Sequence, residues 1–331
     1  MLKPRILCSI DRAMGYGDAV MAYSTLKDLS QLYDLRVMCP DKTHTAVRLY
    51  EKQCGFKVYT VTDQGYFYHN DHIKSLNLIY WDVYNSLRQL PHHAINCMRE
   101  IAKLPLYTKK DKNTLPELPI SESVLNKIKL TLNPLPKPII LTHPLVSYWN
   151  KMMSSQKYTT IVNQLTKIGT VIQIGTNVNP DLICSKAINL LGQTSLEETL
   201  AFIKLADVIF CGDTFIQHAA ATLKTPSVVF FCGTAPFEFG YPFFSNLFHP
   251  LEVPCQLKCA RPLRWLYDYS YTDPNQWNTR GEAGWVCPVK LCDEIITVDE
   301  VINKIQYELK IGKERDWSFY DITLEDDYLN D

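Results

Sequence analysis

The chain lacks a charge excess of either sign. Its 34 Lys and Arg against 35 Asp and Glu leave a formal net charge of −1. A protein that coats nucleic acid normally carries a basic surplus, so the balance argues mildly against a DNA or RNA acceptor and leaves room only for a local basic patch. Long apolar runs are also missing. No stretch approaches the roughly 20 residues that span a bilayer. The short run at residues 6–10 is too brief for a secretory signal and has no small-residue cleavage site behind it. The expectation is a cytoplasmic protein, attached at most peripherally to the inner face of a membrane. With no secretion signal, disulfides are not expected among the eleven cysteines. Cys8, Cys39, Cys211 and Cys232 stand singly in apolar strands, where a thiol behaves as a small buried hydrophobe.

What is present fits two globular domains. The 331 residues exceed one small core, and 46% hydrophobic against 21% charged is enough apolar material to bury. Along the first third, β-rich runs at residues 5–10, 35–39, 57–61 and 76–80 alternate with helical spacing at 19–29, 46–53 and 94–104. Strand, helix, strand in this rhythm predicts parallel βαβ units. Seven prolines from Pro105 to Pro144 then mark a linker with a domain boundary near residue 135. A second alternating series follows, with strands at 139–142, 170–174, 187–190, 208–211 and 227–232. Its helices are predicted at 157–167, 195–206, 215–223 and 299–310. Ser195 and Glu198 form a capping box before the second of these. The organisation expected is an α/β chain of two Rossmann-like halves, residues 1–135 and 136–310, whose parallel sheets face each other across a cleft. Residues 311–331 are read as an acidic tail.

Ligands of open parallel sheets bind beyond the carboxyl ends of the strands, so the residues after each strand matter most. Gly212-Asp213-Thr214-Phe215-Ile216-Gln217-His218-Ala219 follows a buried strand and opens a helix. Such a helix start offers free N–H groups and a positive dipole end to a phosphate or diphosphate. Thr214 and His218 lie four apart on one face and are candidate donors to phosphate oxygens. The plainer alternative is that Asp213 or Thr214 only caps the helix and His218 only packs. The loop Cys232-Gly233-Thr234 follows the next buried strand and is a candidate second wall. His143 ends the first strand of this half, Gly175 ends the next, and Lys151 lies shortly beyond His143. Lys151 is either a point charge for a phosphate or a solvated surface lysine. In the first half, Gly15-Tyr16-Gly17-Asp18 connects strand and helix. It lacks the third glycine of a dinucleotide fingerprint, since Val20 stands there. Asp18 is either an N-cap or a general base facing the cleft.

These motifs, in this order, resemble glycosyltransferase family nine, the ADP-heptose:lipopolysaccharide heptosyltransferases. The match runs through Gly17-Asp18-Ala19-Val20, His143-Pro144 with Lys151, Gly192-Gln193-Thr194-Ser195-Leu196-Glu197-Glu198 and Asp213-Thr214 with His218-Ala219-Ala220-Ala221. It ends at Cys287-Pro288 and Ile295 to Val301. The resemblance implies a GT-B architecture with the donor on the second half and the acceptor on the first. It implies inversion at the anomeric carbon, no required cofactor or metal, and a role in lipopolysaccharide biosynthesis. By position Asp18 would be the base, and Lys151, Asp213, Thr214 and His218 would hold the donor diphosphate. Two departures stand out: Phe215 replaces the family's glycine, and the first loop carries Gly15 and Tyr16 in addition.

Cys255, Cys259, Cys287 and Cys292 bracket an aromatic stretch from Trp265 to Trp285. The two pairs suggest a structural zinc site, although their spacing is looser than usual, and unligated thiols are the alternative. The aromatic stretch is either an acceptor platform, a lid or a packed loop. The reaction expected is sugar transfer from a nucleoside-diphosphate-sugar to a hydroxyl of a saccharide or glycolipid, or of a modified nucleobase or a protein. The rivals are a nucleotide-sugar epimerase or hydrolase and a non-catalytic nucleotide-sugar-binding protein.

Overall fold

The computed structural model describes residues 3–10, 15–60, 74–80, 90–144, 151–175, 182–232, 234–249 and 291–322. The first half builds on β1 (Arg5–Ser9), followed by α1 (Tyr16–Leu32), β2 (Asp34–Cys39), α2 (Asp41–Cys54), β3 (Lys57–Thr60) and β4 (Lys74–Asn77). The four strands pair in parallel in the order β3-β2-β1-β4. In β2, residues alternate between buried and half-buried along the strand. Residues Val20, Tyr23 and Leu26 on α1 and Val47 and Tyr50 on α2 cover the sheet with buried side chains. Tyr50 also donates a hydrogen bond to the Ala19 carbonyl at 2.8 Å, tying α2 to α1.

The linker region contains helices that its prolines hide. The helix α3 (Ala94–Ile101) is as expected, slightly shortened. Beyond it, α4 (Glu122–Leu132) forms where a proline-rich linker was predicted. Pro116 and Pro119 on one side and Pro134, Pro136 and Pro138 on the other bracket a proline-free run, and a helix needs only that uninterrupted stretch. Only Ile128 and Leu132 of α4 are buried, so its apolar periodicity is faint.

The second half comprises β5 (Ile139–His143), α5 (Ser155–Leu165), β6 (Thr170–Gln173), β7 (Ile188–Asn189), α6 (Leu196–Leu205), β8 (Val208–Gly212), α7 (Phe215–Leu223) and β9 (Ser227–Phe230). It continues with α8 (Pro236–Phe239), β10 (Ser245–Leu247), α9 (Leu291–Ile295) and α10 (Val298–Ile311). Its six strands lie in the order β10-β9-β8-β5-β6-β7, all in parallel register. Every residue of β8 and β9 is buried, which is the pattern of strands covered on both faces. The capping box at the start of α6 is present: Glu198 N–H donates to Ser195 Oγ at 3.2 Å and Ser195 N–H to Glu198 Oε2 at 2.8 Å.

The two halves share one hydrophobic cluster. It runs from Ala19, Tyr23 and Leu26 of α1 to Ile216, Ala219, Ala220 and Leu223 of α7 and on to Tyr241. The small side chains of Ala219 and Ala220 let α1 and α7 approach closely. After α10 the chain returns toward the first half. Trp317 packs on Phe243 at 5.0 Å between ring centroids and Phe319 on His93 at 4.9 Å. Asp321 accepts from the His93 N–H at 3.1 Å and from Asn96 Nδ2 at 2.9 Å. The segment expected as a tail therefore begins with residues packed against α3. Residues 323–331 lie outside the described part. Among the described residues no helix is long and apolar enough to cross a membrane.

Candidate active site

The strand orders locate the site. In both sheets the order reverses beside the first strand, between β1 and β4 in one and between β5 and β8 in the other. A crevice opens at such a switch point, beyond the carboxyl ends of the strands. Asp18 follows β1 and Tyr80 follows β4. Lys151 follows β5 and Asp213 follows β8.

Asp18 sits in the first turn of α1, three residues after the N-cap Gly15. It is not itself the N-cap: its Oδ2 reaches back to accept the Gly15 N–H at 2.6 Å, while Oδ1 accepts the Tyr80 hydroxyl at 2.8 Å. Each carboxylate oxygen has two lone-pair sites, so one remains on each beside these bonds. Burial pushes the Asp18 carboxyl above the usual carboxylate range. The Gly15 N–H, the Tyr80 hydroxyl and the Lys151 ammonium pull it part of the way back.

Across from it, Asp213 anchors a buried array. Its Oδ2 accepts from Lys151 Nζ at 2.6 Å and from Thr234 Oγ1 at 2.8 Å, and its Oδ1 accepts from Gln217 Nε2 at 2.5 Å. His218 Nε2 lies 3.7 Å from Oδ1. Burial alone would raise the Asp213 carboxyl, but Lys151 and its other partners outweigh that and leave it below the ordinary value. The Lys151 side chain keeps 21% of its surface exposed against 4% for Asp213, so the lysine is the member of the pair that can meet a ligand. Its ammonium also lies 5.6 Å from the Phe239 ring centre. His218 is pushed down to about 4, first by burial and further by Lys151, against the pull of Asp213. It is therefore a neutral imidazole at pH 7.

Thr214 caps α7, its Oγ1 accepting the Ile216 N–H at 3.3 Å. The capping role does not consume its hydroxyl proton. The N-termini of α1 and α7 meet here. A Cβ placed on Gly17 would lie 2.8 Å from His218 Cδ2, and the Tyr16 and Phe215 rings meet edge to face at 5.9 Å. The extra tyrosine of the first loop and the phenylalanine of the donor motif thus touch one another, one from each half.

His143 and Gly175 form a separate pair at the ends of β5 and β6. His143 Nδ1 donates to the Ile174 carbonyl at 2.7 Å. Gly175 has φ 153°, and a Cβ there would come 2.9 Å from the His143 ring, so glycine is required. Gly233, Cys255, Cys259, Cys287 and the side chain of Cys292 lie outside the described residues, as does the aromatic stretch. Three members of the constellation were not foreseen from the sequence: Tyr80, Gln217 and Tyr241, whose hydroxyl lies 2.8 Å from His218 Nδ1. Gln217 is four residues from Asp213 and so on its helix face. Tyr80 follows a strand beside β1, a position the switch-point rule points to. Tyr241 has no local signal.

The model of glycosyltransferase family 9 (heptosyltransferase) matches residues 78–255. The chain belongs to glycosyltransferase family 9. That match spans Tyr80, Lys151, Asp213 and His218. The solved structure of a family 9 glycosyl transferase from Veillonella parvula superposes with a TM-score of 0.66 at 12% identity, covering 94% of this chain and 98% of that one. The iron-containing dodecameric glycosyltransferase TibC from enterotoxigenic E. coli gives 0.61 at 13%, covering 93% and 77%, and TibC has also been solved in complex with ADP-D-beta-D-heptose. ADP-heptose lipopolysaccharide heptosyltransferase II of E. coli gives 0.50 at 14%, covering 92% and 98%. No curated protein matches the sequence. The fold is GT-B, and the protein is a glycosyltransferase.

Proposed function

We propose that this family 9 enzyme moves a sugar, with inversion and without a metal ion, from a nucleoside-diphosphate-sugar on its second half to a hydroxyl of a saccharide or glycolipid against its first. The observation that carries this reading is the facing pair of carboxylates. Asp18, raised by burial, has lone pairs to spare at the mouth of the first half. Asp213, lowered, is bound by three donors and holds a part-exposed lysine in the second.

In the reaction the acceptor oxygen attacks the anomeric carbon as the bond from that carbon to the diphosphate oxygen breaks. The hydroxyl proton passes to Asp18, whose raised affinity for protons makes it a stronger base than a solvated carboxylate. The departing diphosphate gains negative charge beside Lys151 and the N-terminus of α7. Preorganised positive groups at that point lower the barrier rather than only tightening the ground state. Asp213 accepts only, and three donors already bond its oxygens. Its part is to fix Lys151, with the Thr214 hydroxyl as a neutral donor beside it, and Thr234 and His218 bracing the carboxylate. The His143–Gly175 pair, at the ends of the neighbouring strands, marks where the nucleoside part of the donor is expected. ADP-heptose is the first donor to try, because TibC has been seen with it.

The test is product analysis with a panel of nucleotide-sugars, with and without saccharide acceptors, in the presence of a chelator. Acceptor-dependent glycoside of inverted configuration supports the reading. Sugar released or epimerised from donor alone, at the same rate with and without acceptor, contradicts it.

A further inference from the structure

The mechanism leaves one buried polar side chain unused. Tyr241 is fully buried and packed among the rings of Phe243, Phe244 and Phe319 at 5.5–5.7 Å. Its hydroxyl points at His218 Nδ1, 2.8 Å away. On the other side of the same imidazole, Nε2 lies 3.7 Å from Asp213 Oδ1, with Gly17 of the first half closing over that edge of the ring. A row therefore runs from Tyr241 through His218 and Asp213 to Lys151.

We propose that Tyr241 is a positioning residue: its hydroxyl donates to His218 Nδ1, fixes the imidazole as the Nε2–H tautomer, and aims that N–H at the carboxylate holding Lys151. The functional consequence rests on the donor-site reading above; the tautomer assignment does not.

Two arguments select this tautomer. A neutral imidazole carries one ring proton, and the other nitrogen is an acceptor. Were the proton on Nδ1, the Nε2 lone pair would face the Asp213 carboxylate, a repulsive arrangement in a buried site where charges are poorly screened. The Tyr241 O–H would at the same time lose the Nδ1 acceptor it faces, and a buried donor without an acceptor is costly. With the proton on Nε2, both conflicts vanish. Burial supports the assignment by keeping both groups neutral. It pushes the Tyr241 phenol well above its ordinary value and His218 down to about 4.

The experiment is a long-range proton–nitrogen NMR correlation on protein labelled with 15N-histidine, with the His218 signals identified by their loss in His218→Ala. ADP affinity of the same proteins is measured by calorimetry. The wild type should show the Nε2–H pattern. Tyr241→Phe, which removes only the oxygen, leaves Asp213 alone to hold the proton on Nε2, so it should show the Nε2–H pattern mixed with a minor Nδ1–H form and bind ADP about 5-fold more weakly, the equivalent of one hydrogen bond. In a His218→Ala background the same substitution should cost nothing further, since its effect passes through the ring. An Nδ1–H pattern in the wild type overturns the proposal. So does a Tyr241→Phe protein that melts lower but keeps the wild-type tautomer and ADP affinity, because that is a packing role alone. A wild type that binds none of ADP, UDP and GDP overturns the donor-site reading instead, and the spectrum still decides the tautomer.

Discussion

The two halves present the same device in opposite electrical states. Each has a Rossmann-like strand order, a helix starting just past the strand at the switch point, and an aspartate at that start. Asp18 is held by one N–H and one phenol, and burial leaves its carboxyl raised. Asp213 is buried as well, yet Lys151 above all, with Thr234, leaves it lowered. The number and charge of the partners decide the direction, not the depth. Two carboxylates whose environments push them apart mark an acid–base assignment: the raised one can take a proton, and the lowered one stays an anion that anchors a cation.

The linkage follows the same division. A carboxyl whose folded value is raised contributes stability below its unfolded value and loses it as pH rises through the folded one. A lowered carboxyl contributes stability above its unfolded value and loses it as pH falls through the folded one. At neutral pH Asp18 therefore weakens the fold and Asp213 strengthens it.

Breaking the comparison at Asp18 should have the largest effect. Asp18→Asn should lower turnover by a factor of about 10² to 10⁴, the range for loss of a general base, while thermal melting at pH 7 is unchanged or slightly higher. Turnover within a few-fold of wild type would show that the proton goes elsewhere. Asp213→Asn should act in the opposite sense on stability. It leaves Lys151 without its counter-charge, which should lower unfolding free energy by about 2 kcal/mol in a denaturant titration. Removal of one partner from a fully buried pair costs more, but Lys151 keeps part of its surface in solvent. The smallest effect sharpens the comparison rather than breaking it. Tyr80→Phe removes a hydrogen bond that lowers the Asp18 carboxyl, so that carboxyl should rise further. The acidic limb of the pH profile of kcat/KM should move to higher pH. A limb that stays in place would mean that Asp18 does not set it.

Much of the second half of the site was legible because it is local. Asp213, Thr214 and His218 lie within six residues on one helix start, and strand β8 before them is apolar throughout, so pattern and chemistry coincide. The ring of donors around Asp213 was not legible, because Lys151 and Thr234 arrive from loops beyond other strands, 62 and 21 residues away. Tyr80 is likewise 62 residues from Asp18, and only the parallel pairing of β1 with β4 brings it there. The helix α4 was hidden for a different reason: with two buried residues in eleven it has almost no apolar stripe, and the prolines beside it carry the stronger signal. Asp18 read as a cap or a base because in the structure it makes a cap-like bond and retains free lone pairs.

The division of labour between the two aspartates is decided by ADP binding, measured by calorimetry, to wild type, Lys151→Met and Asp18→Asn. Asp18→Asn should bind like wild type, while Lys151→Met should bind about 10- to 100-fold more weakly, as loss of a charge-assisted contact requires. Weakened binding in Asp18→Asn with Lys151→Met unchanged would place the nucleotide on the first half and contradict the assignment of the two carboxylates.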